Sequence, residues 1–223
     1  MPEPVTLTIS ASALAISATT AWLTLVRRGH VRMTQPTVIF FGPDGGTPNR
    51  APRPKVFLRT LLFSTAKKGR VIESIHVRLS RGEMRQNFNI WVYGDDKLVR
   101  GSGLFVGETG VANNHHFLLP EDAPAFQFVA GSYLLEVFAR ILAEKSHKLL
   151  FSQNLEVTEV FAKALEEDDS GLYFDWGPDS ARYVPHIDRR TPQVSSEQML
   201  DLLSGALPTS VRDKPIRNVP KSP

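Results

Sequence analysis

The chain has 223 residues, of which 42% are hydrophobic and 22% charged. Those proportions fit one sizeable globular domain with appendages and exclude a disordered chain. It contains no cysteine, which rules out disulfide staples, zinc–thiolate sites and cysteine nucleophiles and fits the cytosol best. The net charge of +3 is unevenly spread. Between Arg27 and Arg100 there are 15 Lys/Arg against 5 Asp/Glu, and between Gly101 and Asp188 there are 5 against 14. A basic half beside a membrane suits anionic headgroups. The competing expectation is that strands of the two halves interleave and their charges cancel.

Val5 to Val26 runs 22 residues without a charge. As a helix it spans about 33 Å, enough to cross a hydrocarbon core of about 30 Å. Eight of its residues are Ser or Thr, whose hydroxyls can bond back to the helix's own carbonyls. Trp22 lies near the end, where aromatic rings favour the interface. Arg27, Arg28 and Arg32 follow, placed to contact the membrane surface, whereas only Glu3 and the terminal amine precede the run. Positive residues stay cytoplasmic, so the pattern predicts a single pass through an inner (plasma) membrane with the soluble body in the cytoplasm. A secretory signal would carry its positive region before the apolar run, not after it; the blander alternatives are a strand over VTLTISAS and a buried core helix. Ala13, Ser17 and Ala21 recur every four residues, a spacing that lets spanning helices pack closely or self-associate.

Residues 1–35 therefore read as an anchor and juxtamembrane link, and 36–165 as the folded body. A first strand over PTVIFFG ends at Gly42, and a loop rich in proline and glycine follows. Strands are predicted over Val56–Thr65, Val71–Leu79, Phe88–Tyr93, Leu98–Val106, His116–Leu119, Ser132–Leu142 and Lys148–Thr158. Gly101 and Gly103 mark a bulge or a close backbone approach. Short β-branched and aromatic runs with turns every ten residues or so predict a mainly β fold, an antiparallel β-sandwich of about eight strands.

Gly131-Ser132-Tyr133-Leu134-Leu135-Glu136-Val137 resembles the G-x-Y-x-L-x-V strand of immunoglobulin-like and fibronectin-type sandwiches. The resemblance covers seven residues and implies an architecture, not an activity. It also implies a tyrosine bonded back to a backbone corner. The cysteine pair of antibody domains is absent.

Glu159–Leu165 reads as a helical turn. Residues 166–208 read as an aromatic hairpin plus an amphipathic helix, and 209–223 as a disordered tail. In the hairpin, Leu172–Trp176 and Ala181–Ile187 alternate around a Gly-Pro turn, and Pro185 confines the second strand to an edge. Ser195 to Leu207 shows a capping box and one apolar face. Tyr173, Phe174, Trp176 and Tyr183, with Leu200 and Leu203 on the helix, are the candidates for partner contact, because binding energy concentrates on such side chains. The bland alternative is that the hairpin covers an edge or face of its own domain.

Asn113, Asn114, His115 and His116 form the most polar cluster. Paired imidazoles can hold a metal or move protons, but strand neighbours point to opposite faces, so His115 and His116 cannot meet on one ion without a bend. Asp95-Asp96 sits in a turn, Ser102 lacks the nucleophile-elbow spacing, and GPDGG lacks the features of a phosphate loop. The sequence thus predicts no metal, no cofactor and no enzyme. It predicts a membrane-anchored module that binds or assembles other proteins, with possible self-association and without nucleic acid. The alternatives are an enzyme or ligand sensor near Asn113–His116, or a subunit of a larger envelope or phage-like assembly.

Overall fold

The computed structural model describes residues 3–26, 29–45, 51–95, 97–167 and 170–189. Arg27, Arg28, Leu200 and Leu203 lie outside them, as does the predicted C-terminal helix. Helix α1 (Pro4–Ala21) continues through a π-helical turn, Trp22–Val26. Pro4 starts it without losing a hydrogen bond, because the first N–H groups of a helix have no internal partner. Pro4–Thr24 is long and apolar enough to cross a membrane, and none of it is buried.

The chain then makes β1 (Val31–Met33), β2 (Val38–Pro43), β3 (Pro54–Ser64), β4 (Arg70–Arg81), β5 (Met84–Phe88), β6 (Ile90–Tyr93), β7 (Val99–Arg100), β8 (Leu104–Val106) and β9 (Val111–Leu118). Next come β10 (Gly131–Ile141), β11 (Lys148–Val157), a short helix α2 (Glu159–Ala164), β12 (Ser170–Gly177) and β13 (Arg182–Arg189). Two antiparallel sheets result. The first runs β13-β12-β2-β3-β9-β6-β7, with β1 also on β3; the second runs β11-β10-β4-β5, with β8 also on β4.

The inward residues of both sheets make one hydrophobic cluster. Tyr133, Leu135, Val137 and Ala139 alternate into it from β10, each almost fully buried, as a period of two demands. Phe41 of the first sheet meets Tyr133 of the second edge-on at 6.0 Å, and stacks on Phe128 at 5.0 Å. The Tyr133 hydroxyl donates to the carbonyl of Val129, four residues earlier in the chain, at 2.8 Å.

Several expectations need correction. The link over Arg27–Gln35 contains β1, which pairs with Leu62–Ser64. The single strand over Phe88–Tyr93 is two strands in different sheets, and both Phe88 and Trp91 point inward because the chain changes sheet at Asn89. The strand over Leu98–Val106 likewise divides, with Gly101 and Gly103 at the crossing. Gly101 packs against the Trp91 ring, where an added Cβ would come within 2.0 Å of it. The strand expected over His116–Leu119 begins earlier, at Val111, so Asn113 and Asn114 belong to β9.

The hairpin β12–β13 forms as predicted, with Pro185 on an edge strand. It joins the first sheet through β2, pairing Phe174 with Ile39 and Leu172 with Phe41. The two charge-biased halves also interleave: Arg78 of β4 faces Glu136 of β10 at 3.8 Å, and Arg70 pairs with Glu144. The basic half is thus partly neutralised within the fold.

Candidate functional site

β9 places the four polar residues of Asn113–His116 alternately on the two faces of the first sheet. His115 points inward and is 1% exposed. Its Nδ1 accepts the indole N–H of Trp91 at 3.1 Å. That bond puts the ring proton on Nε2, which is buried and has no hydrogen-bond partner among the described residues. Burial, reinforced by the neighbouring His116 and opposed by Asp95, holds the His115 pKa down at about 4. His115 is therefore a neutral core residue. His116 lies on the opposite face, over the Phe57 ring at 4.8 Å. Asn114 accepts from Arg59 at 3.1 Å, and Arg59 also reaches Asp95 at 3.3 Å. The geometry does not bring the two imidazoles to one ion, and no group of three or more metal-ligating side chains occurs among the described residues.

The hairpin aromatics divide by role. Phe174 is 1% exposed and packs edge-on against Phe41, so it is a core residue and not a partner contact. Tyr183 donates to the carbonyl of Pro36 at 2.8 Å and accepts from Gln35. Burial pushes its phenol pKa above the usual range. Its ring meets Trp176 at 5.2 Å, so this pair clamps the hairpin to the start of β2. Tyr173 faces the other way.

On that outer face the register assembles a row that sequence reasoning missed. His186, Tyr173, Phe40, Phe57 and His116 occupy paired positions on five adjacent strands. Successive ring centroids lie 5.4, 4.8, 6.5 and 4.8 Å apart. Two of the separately predicted candidates, Tyr173 and His116, thus share one structure. The rings are mutually tilted rather than coplanar across Tyr173, Phe40 and Phe57, and the middle ring, Phe40, is 2% exposed, so the row is part-covered and reaches solvent only to either side of that ring. Lys55 lies over Phe40 at 5.1 Å. The outer face of the second sheet differs: it is laced with ion pairs such as Arg78–Glu136 and Arg140–Glu73.

A cleft of about 590 Å³ opens elsewhere, within the range of small-molecule sites. Its walls come from the β2–β3 connection (Pro43, Arg53), the segment before β10 (Phe126, Phe128) and α2 with its end (Lys163, Leu165). Asp44 and Arg53 hold the first wall by a backbone bond from Asp44 N–H to the Arg53 carbonyl at 2.9 Å and a side-chain bond back at 3.0 Å. Thr158 caps α2 by accepting from the Phe161 N–H.

Compared with known proteins, the chain matches no family model, no curated protein and no solved structure.

Proposed function

We propose that the chain is a single-pass, membrane-anchored module that binds or assembles other proteins from the cytoplasmic side of a plasma membrane. The body is a β-sandwich of immunoglobulin-like or fibronectin-type architecture, a reading supported by one core between two sheets and by the Tyr133 corner bond.

The observation that carries the proposal is the chemistry of α1. Thr8, Ser12, Ser17, Thr19, Thr20 and Thr24 each donate to the carbonyl four residues back, at 2.8 or 2.9 Å. A hydroxyl satisfied within its own helix costs far less in lipid than a free one. Apolar side chains are distributed around the helix without a polar face, which suits an all-round apolar solvent better than a water–core boundary. Arg27, Arg28 and Arg32 give the direction.

Partner contact falls to the β12–β13 end of the first sheet's outer face, at the half-buried Tyr173 and the exposed Val184. Removing the whole hairpin is not a clean test, because Leu172 and Phe174 are core residues. The test is Tyr173→Ala with Val184→Asp in the full chain, followed by recovery of cross-linked partners from membranes. The proposal expects loss of partners with the fold retained; full recovery by the folded variant contradicts it. The cleft supports a second reading, a ligand-responsive module with its site there and not at Asn113–His116.

A further inference from the structure

Each sheet has edges, and they are not alike. β13 carries Pro185, Arg182, Asp188 and Arg189, the features that discourage pairing with another chain. β7 has 2 residues, and β5 has 5 including Arg85. β11 has 10 residues and ends the second sheet. From Leu149 to Leu155 it reads LLFSQNL, without a charge, a proline or a glycine. Its first end is shielded: Leu150 is bulged out of the register with β10, and Lys148 reaches His30 at 3.4 Å. From Phe151 to Val157 the register with β10 is unbroken.

We propose that this edge pairs antiparallel with β11 of a second copy, about a twofold axis at Asn154. The Gln153 side chain donates to the Asn154 carbonyl at 2.9 Å, filling a position that a partner strand's N–H can take. In an antiparallel strand a residue's N–H and C=O leave on the same side, so Asn154 offers both to the open edge. A twofold axis there sets Asn154 against Asn154, Ser152 against Glu156, Gln153 against Leu155 and Phe151 against Val157. No like charges meet, and the half-buried Phe151 gains an apolar neighbour. The choice of a second copy over another protein rests on the membrane-anchored reading, because α1 confines copies to one plane and raises their effective concentration.

The chain's lack of cysteine allows a direct test. Asn154→Cys in the full-length chain, oxidised in isolated membranes, is expected to give a disulfide dimer, because residues paired across such an axis have Cα atoms within disulfide reach. Val184→Cys on β13 is expected to give none. Asn154→Pro removes an outward N–H that the sheet does not use, and should turn a detergent-solubilised dimer into a folded monomer by light scattering. If Asn154→Pro fails to fold by circular dichroism, Asn154→Lys makes the same test with like charges across the axis. Absence of a disulfide dimer from Asn154→Cys, equal crosslinking at both edges, or a folded Asn154→Pro or Asn154→Lys variant that stays dimeric overturns the proposal. Membrane fractionation of the same samples keeps the two readings apart: a membrane-bound, uncrosslinked chain leaves the anchor standing, and a soluble, crosslinked chain leaves the edge pairing standing.

Discussion

The indole N–H of Trp91 donates to Nδ1 of His115 at 3.1 Å inside the core, so the histidine must remain neutral for the bond to exist. Protonation would set two donors against each other and place a charge among buried apolar groups. His115 titrates near 4 in the folded chain against 6.5 unfolded. Its folded pKa is depressed, so its contribution is fully present above pH 6.5, declines as pH falls from there, and is lost below about 4. The loss amounts to roughly 3 kcal/mol. Urea unfolding of the detergent-solubilised chain between pH 7 and 4 should show this decline, and His115→Asn should remove that part of it.

Gly101 lies against the other side of this unit. Its N–H donates to the Trp91 carbonyl at 2.8 Å, and its missing side chain leaves room for the indole. Gly101→Ala should destabilise the chain by about 1–3 kcal/mol through overpacking, read as a lower denaturant midpoint with altered tryptophan fluorescence.

Tyr133→Phe removes only the hydroxyl that bonds to Val129. The ring stays packed on Phe41 while the Val129 carbonyl loses its donor. A loss of about 1–2 kcal/mol is expected, measured as a lower Tm at unchanged secondary structure.

How far the sequence discloses this arrangement depends on whether one period runs unbroken. β10 is legible because Tyr133, Leu135, Val137 and Ala139 all enter one core. Phe88–Tyr93 misleads because Asn89 carries the chain between sheets, and a continuous alternation cannot survive that change. β1 escapes notice because 3 residues are too few to show a period. The aromatic row is hidden for a different reason: its five rings come from five strands, and only the register aligns them. The cleft draws on residues 42–43, 52–54, 126–130 and 159–167, which no local pattern connects.

In α1, Leu14→Arg places a charge at mid-helix, where insertion is penalised by about 2.5–3.5 kcal/mol. The variant should leave the carbonate-resistant membrane fraction, whereas Ser17→Ala, which removes an internally satisfied hydroxyl, should remain in it.

The most direct test of the account is protease accessibility in sealed membrane vesicles of known orientation. A chain tagged after residue 189 should be cleaved from the cytoplasmic side and protected from the opposite side. Cleavage only from the opposite side, or release of the chain by carbonate before any protease is added, would contradict it.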